Sequence, residues 1–230
     1  MVTARLPASW AVARLPSSVG CQGAYGTVWR GRCAAAAFHG QPLGVVNWTL
    51  HPLALLMGRL DADVQVAGVA LSASGAVGLR RDGAVSARSL SFDMQLPSPL
   101  LRQLPADLSG RLRANLSRLH LSHGWIDDIQ GHIEVHELFS GGRRPAALGA
   151  FELIFSTPAL TDGRHVGSLR DLGGPLEVQG RLTLGTTPGY LLEGSVAARP
   201  EASDILRDQL TLLGPPDAQG RRRFAQEAEL

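Results

Sequence analysis

The sequence contains no lysine, and all 22 cationic side chains of its 230 residues are arginines. A lysine is needed to form a Schiff base, to anchor pyridoxal phosphate and to contact the phosphates of a nucleotide in a P-loop. Enzymes of those three kinds are therefore excluded. The net charge of +2 is small and the arginines are scattered, so the sequence predicts no nucleic-acid partner either.

One dense run of arginines lies near the C-terminus, at residues 221–223. The surrounding segment, residues 215–230, is polar, and we expect a solvated tail there. The alternative is that these arginines contact an anionic lipid or an acidic partner.

Aromatic residues are also scarce, at 5% of the chain, whereas 27 glycines and 14 prolines supply many turns. A chain of this length can bury a substantial core without disulfides or metals. The composition is typical of an all-β chain with frequent reversals. We expect one β-rich domain over residues 1–230, divisible into sub-parts 1–105 and 106–214 before the polar tail 215–230.

No targeting or membrane-spanning segment is visible in the sequence. The N-terminus lacks a charged region followed by an apolar run and a small-residue cleavage site. Residues 33–58 carry no formal charge, but prolines and polar residues interrupt them. Burial as a strand followed by a short helix is therefore expected there, rather than insertion into a membrane. We expect a cytosolic protein, or one whose targeting segment has been removed.

Alternation of apolar and polar side chains predicts the clearest strands. In residues 176–184 the aliphatic side chains share one parity, and residues 190–198 resume the alternation after a turn at 185–189. This pattern predicts an antiparallel hairpin. Residues 89–96 alternate in the same way and predict another half-buried strand.

Three segments share the pattern Asp, aliphatic, any residue, Gly, any residue, aliphatic: residues 107–112, 128–133 and 171–176. Their spacing is near one and two hairpin lengths, which is typical of a strand meander. Repeated turn chemistry without common ancestry is the alternative. Both interpretations predict a mainly β fold, with an antiparallel meander, a curved sheet or a sandwich and a few short helices.

The helical signals are brief. Pro7 and Pro52 are each suited to a first helical turn, and residues 97–101 suggest a short turn. The best helix is predicted within residues 200–213, over one end of the sheet. Its expected apolar face consists of Ile205, Leu206, Leu210 and Leu213.

Two histidine groups raise the question of a metal site. On a strand, His132, Glu134 and His136 share a face, but the outer two would be about 13 Å apart, too far for a common ion. His120 and His123 would face opposite sides. We expect ordinary surface histidines, with a zinc site as the alternative.

No catalytic site is predicted. Asp127 and Asp128, with Glu134 and Glu137 downstream, resemble an acid/base set, but adjacent carboxylates after Gly-Trp-Ile are typical of a turn into a strand. The sequence holds no Gly-x-Ser-x-Gly elbow and suggests no cofactor.

The two cysteines, Cys21 and Cys33, bracket a segment that reads as a strand end, a turn and a second strand. A disulfide is feasible there, and two buried free thiols are the alternative. Nothing marks either cysteine as a nucleophile with a positioned histidine.

Three blocks, residues 26–31, 46–53 and 58–60, resemble the type II secretion protein N family in their order and spacing. The likeness continues through residues 174–184, then 189–190 and 194, to residues 206, 210 and 213–214. The resemblance is carried by structural rather than catalytic residues: Gly26, Thr27, Trp29, Gly31 and Trp48. We expect the two tryptophans to pack in the core, within strands.

The resemblance implies a non-enzymatic subunit that links or regulates the inner-membrane platform and the outer-membrane secretin. Members have one N-terminal inner-membrane helix and a periplasmic domain. This sequence begins where the periplasmic domain would, so we expect that domain without its membrane anchor. We expect recognition by surfaces and sheet edges. The oxidising periplasm in turn implies a disulfide between Cys21 and Cys33.

A periplasmic carrier that shields a lipid or another hydrophobic ligand on a curved sheet is the alternative function. An apolar cavity would favour the carrier, whereas a packed core would favour the interaction module. An unrecognised hydrolase has no candidate residues in this sequence.

Overall fold

The computed structural model describes residues 6–97, 108–123, 125–141, 145–156, 162–185 and 188–229. The fold is mainly β, with 13 strands that follow one another in chain order in an antiparallel sheet, and with short helices between some of them. This confirms the predicted antiparallel meander.

The described helices are α1 (Ala8–Val12), α2 (Pro52–Leu55) and α3 (Asp204–Leu210), and a 3₁₀ turn at Thr211–Leu213 follows α3. The strands are β1 (Val19–Gly26), β2 (Arg30–Phe38), β3 (Gln41–His51), β4 (Arg59–Ala67), β5 (Leu71–Arg80), β6 (Val85–Leu96), β7 (Leu108–Ser122), β8 (Trp125–Ser140), β9 (Ala146–Phe155), β10 (His165–Asp171), β11 (Leu176–Leu184), β12 (Gly189–Ala198) and β13 (Arg222–Glu229).

The chain divides into two compact units. Unit 1 comprises residues 1–94 and 117–124, and unit 2 comprises residues 95–116 and 125–230. The sub-parts 1–105 and 106–214 stay a prediction.

Small side chains dominate the buried positions of unit 1. Its strands pair consecutively, and β4 and β5 align without interruption from the pair Arg59↔Arg80 to Ala67↔Ser72. The predicted strand at residues 89–96 lies within β6, where Met94 is buried. Close strand packing is therefore achieved with little aromatic content. The buried side chains of unit 1 include Ala8, Cys33, Ala36, Ala54, Ala62, Ala84, Ala87 and Met94.

Unit 2 contains the predicted hairpin and the predicted helix. β11 and β12 pair in unbroken register from Leu176↔Ala198 to Leu184↔Tyr190. The Ser203 side chain caps α3 by accepting a hydrogen bond from the backbone N–H of Leu206 at 3.3 Å. Leu213 is 44% exposed because the chain tightens into the 3₁₀ turn, so its place on the apolar face was wrong.

The helix α3 contributes to the core of unit 2. Two of its side chains belong to a buried cluster with residues of β9, β11 and β12, and Phe224 of β13 packs against that cluster. The helix therefore covers apolar side chains of the sheet. The buried members of the cluster are Ala146, Leu176, Val178, Val196, Ala202, Leu206 and Leu210.

The predicted solvated tail was wrong for residues 222–229, which form β13. This strand pairs with β12 from Gly189↔Glu229 to Val196↔Arg222. The pairing satisfies backbone groups, and Phe224 gives the strand an apolar anchor. The arginines at 222 and 223 therefore belong to a sheet edge.

Other turn predictions also changed. Residues 128–133, and with them Asp127 and Asp128, lie inside β8 rather than in a turn. The related segment 171–176 does span a turn, between β10 and β11. The same short pattern therefore occurs in two backbone settings. The predicted turn at 97–101 lies outside the described residues from position 98 onward, as does position 107 of the first segment.

Candidate interaction surfaces

The motif residues of unit 1 form a tight connection between β1 and β2. The Thr27 backbone N–H donates to the Arg30 carbonyl at 2.9 Å, and the Thr27 hydroxyl accepts from the Arg30 backbone N–H at 3.2 Å. Gly26 has φ of +86°, a conformation that favours glycine. Trp29 lies within this connection and not in a strand, which corrects the prediction for it.

Trp48 braces that connection from β3. Its indole Nε1 donates to the carbonyl of Val28 at 2.9 Å. Its ring covers Gly31, the directly paired residue on β2, so closely that a Cβ there would lie 2.2 Å from Cζ2. Trp48 and Trp29 are half-buried. The geometry indicates packing and bracing by Trp48.

The structure joins Cys21 and Cys33 as a disulfide between β1 and β2, with a Cα separation of 5.8 Å. That separation lies in the usual range for disulfides. Cys33 is buried. Formation of the bond in the cell stays a prediction.

The first strand, β1, is a poor template for another strand. Its register with β2 is the same before and after Gly23, but Gly23 itself is not among the paired residues and has φ of +72°, outside the range of a regular strand. Helix α1 packs against β1, and Pro7 bridges to Thr27 just beyond its end. Irregular and covered edges resist strand addition.

The last strand, β13, is regular and therefore suits pairing with a further strand. All eight of its residues align with β12 without a bulge. Within the described residues, no further strand pairs with its other side. Phe224 fixes β13 because its ring lies over its paired residue Gly194, where a Cβ would be 2.8 Å from the ring carbon Cζ. The Arg222 guanidinium also donates to the Gly214 carbonyl.

An ion pair between Asp171 and Arg199 stabilises the turn between β10 and β11. Arg199 lies 2.6 Å from a carboxylate oxygen of Asp171 and donates to the carbonyls of Gly174 and Leu176. Burial alone would raise the pKa of Asp171. Hydrogen bonds from the Val178 N–H, from Arg199 and from the Gly173 N–H outweigh that effect, so the pKa is lowered from its usual value.

The histidines considered as metal ligands, and the glutamate considered with them, form separate hydrogen bonds and do not converge on one point. His136 hydrogen-bonds to Glu134 at 2.8 Å, and this contact lowers the pKa of the Glu134 carboxyl. His132 instead lies 3.3 Å from the Asn115 amide nitrogen. No cluster of three or more potential metal ligands occurs in the described part of the chain.

Two open clefts are lined largely by polar and charged side chains. One of about 760 Å³ lies over β11 to β13, and one of about 720 Å³ lies beside the β5–β6 turn. Neither is the apolar cavity that a lipid carrier requires, so these clefts give that alternative no support. The charged lining residues are Arg181, Glu193 and Arg223 in the first, and Arg59, Arg80, Arg81 and Asp82 in the second.

Sequence reasoning missed two surfaces. The regular edge at β13 lay in the segment predicted as a tail. Residues 33–58 were expected to be buried, but in α2 and the following turn only Ala54 is buried, and large apolar side chains are exposed. The signal for the second surface was the uninterrupted run Leu-Ala-Leu-Leu-Met at residues 53–57, which has no polar face.

These features define a mainly β protein, with β1 and β13 at the two ends of the strand order in the part of the chain that the structure describes. The type II secretion system protein N model matches residues 17–225, and the chain belongs to that family. It is a type II secretion system protein by this membership. None of the helices in the described ranges has the length and apolar character needed to cross a membrane.

Two similar proteins carry the family name. The chain is 27% identical to the type II secretion system protein N of Vibrio cholerae serotype O1, over all of this chain and 93% of that protein. It is also 27% identical to the protein of the same name from Aeromonas hydrophila, over 94% of this chain and 88% of that protein. No solved structure matches the chain.

Proposed function

We propose that this chain is a non-enzymatic interaction subunit of the type II secretion system. It works in the periplasm as part of a protein anchored to the inner membrane, and it links or regulates the inner-membrane platform and the outer-membrane secretin. Family membership supports the secretion context. The Cys21–Cys33 pairing supports the compartment, because disulfides persist in oxidising environments.

The contact that we propose is addition of a partner strand to β13. The observation that carries this proposal is the unbroken eight-residue register of β13 on its inner side, with no described strand on its outer side. In an antiparallel strand, the backbone N–H and C=O groups of one residue point to one side, and those of the next residue point to the other side. An extended partner segment can therefore hydrogen-bond to the outward set.

The backbone of β13 is also held in place from its inner side. Arg223 and Glu227 share one face of the strand, and Phe224 lies on the other, anchored to unit 2. Because the anchor is internal, the outer backbone groups are held in place before a partner arrives. Preorganisation of this kind lowers the entropic cost of binding.

Proline substitution at two adjacent positions tests the proposal. Proline removes one backbone N–H, and adjacent residues direct their N–H groups to opposite sides of the strand. Of Ala225→Pro and Gln226→Pro, one therefore removes a bond to β12 and lowers stability. The other removes only an outward donor and should leave the thermal unfolding temperature nearly unchanged.

The readout is secretion of a type II substrate by cells that carry each variant in place of the normal gene. The variant of normal stability should secrete poorly if a partner pairs with β13. Ala225→Ser is the matched control, because it keeps the N–H. Normal secretion by the proline variant whose thermal stability is unchanged would refute strand addition at this edge.

A further inference from the structure

The segment after β3 in unit 1 exposes a run of large apolar side chains. Leu53, Leu56 and Met57 are 74%, 85% and 66% exposed, and Leu55 is 44% exposed. The helix α2 is a single turn, so only Ala54 faces inward. We call Leu53, Leu55, Leu56 and Met57 the apolar tip.

Three arginines lie beside the apolar tip. Arg59 and Arg80 are paired residues at the ends of β4 and β5, and Arg81 begins the next turn. Together with Met57 they line the open cleft of about 720 Å³, which we call the arginine cleft. The side chain of Arg81 reaches within 3.3 Å of the position that a Cβ on Gly58 would occupy.

Two carboxylates neutralise part of the positive charge of the arginine cleft. Arg59 lies 3.5 Å from Asp61, and Arg80 lies 3.3 Å from Asp82. Three positive and two negative charges leave one net positive charge. Guanidinium groups bind phosphate oxygens in a fork geometry, so the cleft suits a phosphate-bearing ligand.

We infer that the apolar tip and the arginine cleft dock together onto the surface of a bilayer that contains anionic phospholipids. The apolar side chains enter the boundary of the acyl chains, and the arginines contact lipid phosphates. Leu56 is 85% exposed and the Arg59 side chain is 48% exposed, so both kinds of group are accessible to a lipid surface.

A protein partner fits these observations less well. Protein hot spots are anchors that become buried in well-packed pockets, surrounded by a rim that excludes water. The apolar tip instead presents consecutive, separately exposed side chains on a turn too short to form a groove-binding helix face. With only one net positive charge, the apolar side chains supply most of the expected affinity, and the arginines supply preference for anionic lipid.

Vesicle flotation of the full chain tests this inference. The probe vesicles consist of phosphatidylglycerol with phosphatidylethanolamine, and the comparison vesicles consist of phosphatidylcholine alone. The double variant Leu56→Ser with Met57→Ser should bind the anionic vesicles at least about tenfold more weakly, a loss of about 1.4 kcal/mol. Leu212→Ser is the matched control, since Leu212 is 87% exposed in unit 2, and it should bind like the unchanged protein.

A second variant separates the phosphate contact from apolar insertion. Arg81→Gln should reduce the preference for anionic over neutral vesicles, whereas Arg181→Gln, at an exposed arginine of unit 2, should not. Circular dichroism should show unchanged folding in all four variants, because each changes an exposed side chain.

Absence of vesicle binding by the unchanged chain would overturn the inference. Equal binding by the double variant and the unchanged chain would do the same. Capture of a secretion protein through the apolar tip, without vesicle binding, would also overturn it in favour of a protein contact. These results concern unit 1 and leave the β13 proposal to its own test.

Discussion

Replacement of Gly31 by alanine should destabilise unit 1 through a direct clash with Trp48. The added Cβ would lie 2.2 Å from Cζ2 and 2.6 Å from Cε2 of the indole, and 2.9 Å from the Thr27 carbonyl oxygen. Favourable carbon contacts need about 3.5–4.0 Å. The ring cannot retreat freely, because its Nε1–H donates to the Val28 carbonyl.

The structure sets the size of the effect. Overpacking of a well-packed site costs about 1–3 kcal/mol, and loss of the indole hydrogen bond adds about 1 kcal/mol. We expect Gly31→Ala to lower the free energy of unfolding by about 3 kcal/mol. For a chain of this size that corresponds to a fall in Tm of roughly 6–12 °C.

A double-mutant cycle tests the cause. In a Trp48→Ala background the ring is gone, and Gly31→Ala should cost only about 1 kcal/mol, because the Thr27 carbonyl remains close. Gly20→Ala is the matched control in β1, where the nearest atom would be the Ala37 Cβ at 3.8 Å. Thermal unfolding followed by circular dichroism measures all variants. An equal cost of Gly31→Ala with and without Trp48 would refute the reasoning.

Two further predictions concern the disulfide of unit 1 and the ion pair of unit 2. Replacing both Cys21 and Cys33 by serine should lower the free energy of unfolding by about 3 kcal/mol in protein folded under oxidising conditions. Thiol titration of the denatured, unreduced protein should find no free thiol, and a result of two free thiols would rule the bond out. Because the folded-state pKa of Asp171 is lowered, its stabilisation is present above the unfolded pKa of about 3.9 and is lost as the pH falls through the folded value. Asp171→Asn should therefore destabilise by about 2 kcal/mol at neutral pH, and the Tm difference from the unchanged protein should shrink on acidification; a pH-independent difference would contradict this.

Local pattern was sufficient where one segment contains its own signal. The β11–β12 hairpin was predictable because both strands alternate and the turn between them holds glycines and a proline. Helix α3 was predictable because a proline and acidic residues precede an apolar stripe that ends at Gly214. The existence of these elements required no knowledge of distant residues, although α3 at Asp204–Leu210 is shorter than the segment 200–213 within which it was predicted.

Pairing over longer distances was not predictable. Residues 222–229 contain one large apolar side chain, Phe224, so their alternation is too weak to indicate a strand. Their strand state depends on β12. The proposed site is the side of β13 on which no described strand pairs, so its location followed from the pairing with β12 and not from any local motif.

The prediction of burial was wrong for the apolar tip, and the reason is the opposite one. Residues 53–57 are apolar enough to suggest burial, but a single helical turn can direct only one of them inward. The length of α2, set by Pro52 at its start and by Gly58 with φ of +70° after it, decides which side chains are exposed.

Several of the few aromatic side chains in this chain pack over a glycine. Gly31 lies under Trp48, Gly194 lies beneath Phe224, and Gly167 lies against Phe155, where a Cβ would be 2.8 Å from the ring. Glycine weakens a strand because it offers no side chain to pack, and an aromatic ring on the neighbouring strand restores the lost contact.

The same arrangement of glycine under an aromatic ring also holds the edge strand at which we propose that a partner binds. In the first two of these pairs the glycine and the aromatic residue are direct cross-strand partners. In unit 1 the pair fixes the β1–β2 connection, beside an edge that Gly23 and α1 already obstruct. In unit 2 the pair holds β13 itself through Phe224, and its backbone stays regular to the outside. A mutation that removes the Phe224 ring should therefore impair the strand addition that we propose at β13, because that ring packs against the core cluster of unit 2.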